Sequence, residues 1–320
     1  MLKVFSKLVL FLILLIAIIG CTDKAHEQKE PIQNKPTDAQ IPDTASVDAI
    51  KLTNLEIPSS IQGETVIHHM GYTLSYNETY EQANWVAYEL TEHETNRLYD
   101  RTDMFLIDPN VRSGTATDAD YKKSGYDRGH LAPAADMGWS ATTMAESFYY
   151  SNMSPQLPGF NRGVWKRLEE LVRAWAVESD AIFVVTGPVL SSGLNFIGWN
   201  QVAVPKYYYK VILDYRKPDI KAIGFILPNA SSGAPLQDFA VSIDKVEQIT
   251  GIDFFHLLPD NQENILESSH CTSCWSWKGK SKSYHVNSNS SSVQCSGITQ
   301  AGNRCQRMTK NPNGKCFQHD

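Results

Sequence analysis

Five short runs rich in β-branched and aromatic residues, Tyr72–Tyr76, Trp85–Leu90, Ile182–Thr186, Lys206–Asp214 and Ile220–Leu227, constrain the fold of this chain more than any other feature. Turn formers punctuate them: Gly187-Pro188 ends the third run, Lys217-Pro218-Asp219 joins the fourth to the fifth, and Pro228-Asn229 closes the last. Between the second and third runs, Gly163 to Glu178 carries a clear helical period, with Trp165, Leu168, Val172 and Trp175 on one side. A second helix is predicted from Leu236 to Ile249, stopped at Gly251. Strands in succession with few interposed helices predict an α+β fold with a mostly antiparallel sheet. At 320 residues and 42% hydrophobic, the chain can bury one sizeable core and still carry appendages.

The N-terminus reads as an export signal. Lys3 and Lys7 precede an apolar run from Leu8 to Ile19, too short to span a bilayer, and Gly20-Cys21 follows. Ile18-Ile19-Gly20-Cys21 resembles a bacterial lipobox, with Ile19 departing from the usual small residue. That resemblance implies removal of residues 1–20, a lipid on Cys21, a membrane anchor and an extracytoplasmic location. The alternative is an ordinary signal peptide. Residues 21–60 are rich in Gln, Lys, Asp, Thr and Pro and poor in aromatics, so they are expected to form a disordered tether. The folded domain is expected over 61–267.

Within that domain, Asp127-Arg128-Gly129-His130 joins a carboxylate, a guanidinium, a glycine and an imidazole in four residues. An imidazole can take a proton from water near neutral pH, and a guanidinium offers phosphate oxygens a planar fork. Gly129 is expected to turn the backbone sharply, and Asp127 to shape that turn. Downstream come Asn152-Met153-Ser154-Pro155-Gln156, Phe160-Asn161, Trp165 and Leu168-Glu169. By themselves Asn161 reads as a helix cap and Glu169 with Arg173 as an i, i+4 surface ion pair.

Taken together, the two blocks resemble the DNA/RNA non-specific endonucleases, the ββα-metal family that includes mitochondrial endonuclease G. The resemblance implies a ββα-metal active-site motif, DNA and RNA as substrates, and a Mg²⁺ ion held directly by Asn161 amid waters. By the same resemblance His130 is the general base, which gives an expected rise in activity through about pH 6 to 7. Arg128 is implied to clamp the scissile phosphate and Glu169 to hold metal-bound waters. Asn152 would orient the metal shell or phosphate, and Arg173 and Arg97 would add phosphate contacts. His68, His69, His93 and His256 fall outside the motifs and are expected to be surface or packed histidines. Tyr207-Tyr208-Tyr209 could stack bases, although strand alternation makes them packing residues first.

Every cysteine other than Cys21 follows the catalytic blocks. Residues 268–294 hold Cys271-x2-Cys274, a candidate disulfide or redox pair, and a polar linker. Residues 295–320 offer Cys295, Cys305, Cys316 and His319, a Cys₃His set able to close a tetrahedral zinc site in a segment too short to fold by apolar burial. A disulfide framework is the alternative, and it would leave one of the five tail cysteines unpaired. The net charge of -6 argues against a uniformly basic nucleic-acid coat, yet the tail beyond Leu266 is basic, with seven Lys or Arg against Glu267 and Asp320. Two functions are thus open: a membrane-anchored nuclease, or a surface nucleic-acid-binding lipoprotein on an inactive nuclease core.

Overall fold

The computed structural model describes residues 53–60, 63–278, 292–299, 302–309, 313–316 and 319. The signal segment, Cys21, nearly all of the tether and most of the polar linker lie outside them. In chain order the strands are β1 (Thr65–His68), β2 (Thr73–Asn77), β3 (Gln82–Thr91), β4 (Asp127–His130), β5 (Met153–Gln156), β6 (Ala181–Pro188), β7 (Asn195–Ile197), β8 (Val202–Val204), β9 (Tyr207–Asp214), β10 (Lys221–Pro228) and β11 (Ala240–Val241). The tail adds β12 (Val293–Gln294) and β13 (Met308–Thr309). The helices are α1 (Asp118–Tyr121), α2 (Ala141–Glu146), α3 (Lys166–Glu178), α4 (Ile243–Thr250) and α5 (Asp260–Ser268).

Seven strands form one antiparallel sheet in the order β1-β2-β3-β6-β9-β10-β11. Both faces are covered, which is why its central strands read as nearly unbroken apolar runs. On one face Val86, Tyr88, Ile182, Val184, Tyr208, Ile212 and Phe225 meet Leu168, Leu171, Val172 and Trp175 of α3. On the other, Trp85, Val185, Tyr209, Val211 and Leu213 meet Ile243 and Val246 of α4, Leu266 of α5 and Phe254 between them. Strand alternation therefore sends Tyr208 and Tyr209 into opposite cores, each fully buried. Only Tyr207 of that trio is exposed, so base stacking by Tyr208 or Tyr209 is ruled out.

All five predicted strands lie in this sheet, whereas the predicted helix over Leu236–Ile249 does not form as one unit. A 3-10 turn covers Leu236–Phe239, Ala240–Val241 pairs with Gly224 and Phe225 as the edge strand, and α4 starts only after Ser242, whose hydroxyl accepts from the Lys245 N–H at 3.3 Å. Backbone pairing at an open sheet edge overrides helical periodicity there. The folded unit also begins before residue 61: Leu55 is buried in the second core, and the Ser59 N–H donates to the Asp253 carbonyl at 2.9 Å. It likewise ends after residue 267. Trp275 packs on Trp175 at 4.3 Å, and the Trp175 indole N–H donates to the Ser276 carbonyl at 2.6 Å. Cys271 and Cys274 form a disulfide in this docked segment.

Candidate active site

The strands β4 and β5 pair antiparallel, Asp127 opposite Gln156 and His130 opposite Met153, and the chain then runs through a wide π-helical turn, Phe160–Trp165, into α3. Gly163 breaks the helical geometry inside that turn. The result is a two-strand, one-helix unit carrying the sequence-predicted residues. Gly129 is not a hinge in it: a Cβ at this strand position would lie 2.2 Å from the Gln156 side chain, so glycine is required for close crossing.

Asp127 does more than shape a turn. Its Oδ2 accepts from Asn161 Nδ2 at 3.0 Å and from Arg162 Nε at 2.8 Å, while Oδ1 accepts from Arg162 Nη2 at 2.6 Å. Burial by itself would raise this carboxyl, but the Arg162 and Asn161 hydrogen bonds outweigh it and hold Asp127 below its ordinary range. Fixing the Asn161 amide nitrogen in this way determines where Oδ1 points. A helix cap would use that oxygen on a backbone N–H, and no such cap bond exists here. A carboxamide oxygen held by its own nitrogen is a hard, neutral donor suited to a divalent cation that keeps most of its water.

His130 stands at the end of β4 with its ring edge-on to Phe148 at 4.9 Å and 5.9 Å from Phe105. Its Nε2 is buried without a hydrogen-bond partner. Burial first, then the charges of Arg101 and Arg128, push the imidazole down to about 3. Burial and the two guanidiniums both favour the neutral ring, against the expectation of an imidazole titrating near pH 6 to 7. Arg128 lies over Phe105 at 3.9 Å and pairs with Asp118 at 2.5 Å, keeping about a third of its side chain exposed (34%). Arg101, which the motifs do not mark, lies over Phe148 at 4.8 Å and pairs with Asp103.

Glu169 is half-buried on α3, and burial drives its carboxyl well above the usual range against the pull of Lys210 and Arg173. Lys210 also escaped the sequence reading. It is fully buried on β9 with Nζ 4.8 Å above the Trp165 ring and without a hydrogen-bond partner. Its signal was visible in retrospect: alternation within β9 places this lone lysine on the α3 face, between Tyr208 and Ile212.

Three assigned roles change. Asn152 is fully buried and spends its amide on structure: Nδ2 donates to the Ala132 and Ser147 carbonyls at 2.9 and 2.8 Å, and Oδ1 accepts from the Ala132 N–H at 2.8 Å. It anchors the chain just after His130 and has no oxygen left for a metal shell. Arg173 is not a free phosphate contact, because Nη1 donates at 2.6 Å to Asp136, a buried carboxylate that also accepts from the Tyr88 hydroxyl. Arg97 is bound to Asp100 and the Tyr99 carbonyl, and the arginines acting on His130 are Arg101 and Arg128. Among the other histidines, His69 is packed against Asp108 at 2.9 Å and His68 is exposed.

In the tail, the ligand atoms of Cys295, Cys305, Cys316 and His319 lie within 4.8 Å of one another, and among the described residues no disulfide joins the three cysteines. His319 Nδ1 is 3.4 Å from both the Cys295 and Cys316 sulfurs. Burial works against a Cys295 thiolate, yet N–H groups of Cys316 and Gly297 stabilise it and hold its pKa down to about 6. The donor set and its convergence fit a tetrahedral soft-metal site.

A buried imidazole beside two arginines and an oriented carboxamide thus share a two-strand, one-helix frame. The DNA/RNA non-specific endonuclease profile matches residues 51–261, and the chain belongs to that family of nucleases, which are phosphodiester hydrolases. It is 38% identical over 214 residues to mitochondrial nuclease EXOG of Danio rerio, an alignment covering 61% of this chain and 62% of that one. It is 39% identical over 204 residues to nuclease C1 of Cunninghamella echinulata var. echinulata, covering 58% and 81%. It thus spans less than two thirds of the length of the EXOG relative. A crystal structure of the EndoG/EndoGI complex aligns with a TM-score of 0.61 at 31% identity, over 66% of this chain and 93% of that one.

Proposed function

We propose that this chain cleaves DNA and RNA without sequence preference and uses Mg²⁺ at Asn161. The observation that carries the proposal is the two-strand, one-helix unit that holds a buried His130 on β4 and, in the turn leading into α3, an Asn161 amide pinned by Asp127. His130 accepts the proton of the attacking water, with burial favouring the neutral, proton-accepting form of the ring. Arg128 exchanges Asp118 for a phosphate oxygen while Phe105 holds its plane. Asn161 ligates the cation and Glu169 orients its waters; when bound, the cation neutralises charge at the phosphate and leaving oxygen. Since these residues are all present, the inactive binding-protein alternative has no support from the site itself. Incubation of the protein with plasmid and RNA, with and without chelator, beside His130→Ala tests the proposal. Equal cleavage by the two proteins, or cleavage unaffected by chelator, would refute it.

Two further elements belong to the same reading. Cys295, Cys305, Cys316 and His319 hold one structural Zn²⁺, and the basic tail around them, including Arg304, Arg307 and Lys315, supports holding a polyanionic substrate. Gly20-Cys21 supports lipid attachment and an enzyme held on an extracytoplasmic membrane surface. Fatty-acid labelling that persists in Cys21→Ser would exclude the anchor.

A further inference from the structure

On the sheet face away from α3, the helices α4 and α5 both pack over the second core. Asp244 and Glu247 stand three residues apart on α4, and Glu263 and Glu267 four apart on α5, so each pair shares a helix face. Carboxylate oxygens of Asp244, Glu247 and Glu267 lie within 4.8 Å of one another. The three grade from the exposed Asp244 through the half-buried Glu247 to the buried Glu267. Glu267 is only 6% exposed, and its Oε1 is buried without any hydrogen-bond partner. Lys245, on the same helix as Asp244, is directed to Gln248 at 2.7 Å.

A buried carboxylate oxygen facing two more carboxylates is strongly unfavourable unless a cation or a proton accompanies it. Burial and the charges of Glu247, Glu263, Asp253 and Asp244, all acidic, push the Glu267 carboxyl up to about 9. We propose that Asp244, Glu247 and Glu267 form a calcium site that ties α4 to α5, on the opposite side of the sheet from the catalytic centre. One Glu247 oxygen accepts from the Phe254 N–H at 2.9 Å, which fixes that carboxylate and leaves the other oxygen for the ion. Three carboxylates with little other protein donation suit calcium, whose oxygen contacts are about 2.3–2.6 Å and whose coordination is flexible; magnesium needs near-ideal geometry at about 2.0–2.1 Å and resists losing water. The exposed Asp244 side supplies the entry path and the remaining ligands from solvent.

The test is thermal unfolding of the full chain, freed of metal, against rising calcium. The parent should gain several degrees, with half of the effect reached between about 0.1 and 1 mM calcium, as for extracellular modules, and a smaller gain in equal magnesium. Glu267→Gln should be at least as stable as the parent without calcium and should show no calcium gain. Asp244→Asn, on the exposed rim, should keep the fold and need about tenfold more calcium for the same gain. Asn161→Ala should retain the whole gain, separating this site from the catalytic one. A parent unmoved by about 10 mM calcium, or a Glu267→Gln protein that gains as much as the parent, would show that Glu267 holds a proton instead.

Discussion

The candidate active site and the cysteine tail both fix chemically active side chains in place, by opposite means. His130, Asn161 and Glu169 stand on a hairpin and helix backed by a sheet whose cores bury Trp85, Trp165 and Trp175 completely. In the tail the paired strands are two residues long, and the buried apolar cluster among its described residues consists of Cys295, Cys305 and Cys316. In the first case apolar burial positions the ligands; in the second the ligands are the core. The difference teaches where each region is vulnerable: the site to changes in hydrogen bonding at constant fold, the tail to loss of the ion proposed for its Cys₃His set.

Stripping the tail metal should have the largest effect. Structural zinc supplies about 10–16 kcal/mol to small sites, far more than the tail can draw from burial. Purified protein should contain about one equivalent of zinc, and a strong chelator should abolish hydrogen-exchange protection around Cys295–Cys316 while core protection persists. Oxidised tail cysteines without zinc would break the comparison. His130→Ala comes next, with an expected loss of about 10²–10⁴ in cleavage rate in a protein that still folds, though the emptied ring site beside Phe148 lowers its melting temperature. A folded variant that keeps its cleavage rate would assign His130 to the fold alone.

Asp127→Ala sharpens the comparison further, because it removes only the group that orients Asn161 and should cost about 10–100-fold in rate or metal affinity. The variant should need more Mg²⁺ for half-maximal activity; an unaltered Mg²⁺ requirement would reduce Asp127 to an ion-pair partner of Arg162. The smallest effect is on pH dependence. His130 is depressed from about 6.5 to about 3, so its contribution to stability is fully present above pH 6.5 and is lost as pH falls toward 3. His69 is raised to about 9 because Asp108 and Glu146 outweigh the burial that opposes its charge, so its contribution is present below pH 6.5 and is lost as pH rises through 9. Denaturation across pH should therefore show two opposed slopes, the acid one shallower in His130→Ala, where Asp127 and the other lowered carboxyls still contribute, and the alkaline one shallower in His69→Gln. Activity should show no step at pH 6 to 7 from His130.

Five strands, the helix bearing Glu169 and the two motifs that carry His130 and Asn161 were legible in the sequence because they rest on local periodicity and on short motifs with fixed spacing. The Leu236–Ile249 segment was not, since edge pairing with β10 is a contact that local pattern does not encode. Asn152 and Asn161 look alike in sequence; one is consumed by three backbone groups and the other is held by Asp127, a distinction made by long-range hydrogen bonds. Residue types and their order thus determined the family, the ββα frame and the tail's donor set. Tertiary structure alone decided which arginines flank His130, that Lys210 lies beneath α3, and that charge on the His130 ring is disfavoured, because burial and neighbouring charge exist only after the chain has closed around these groups.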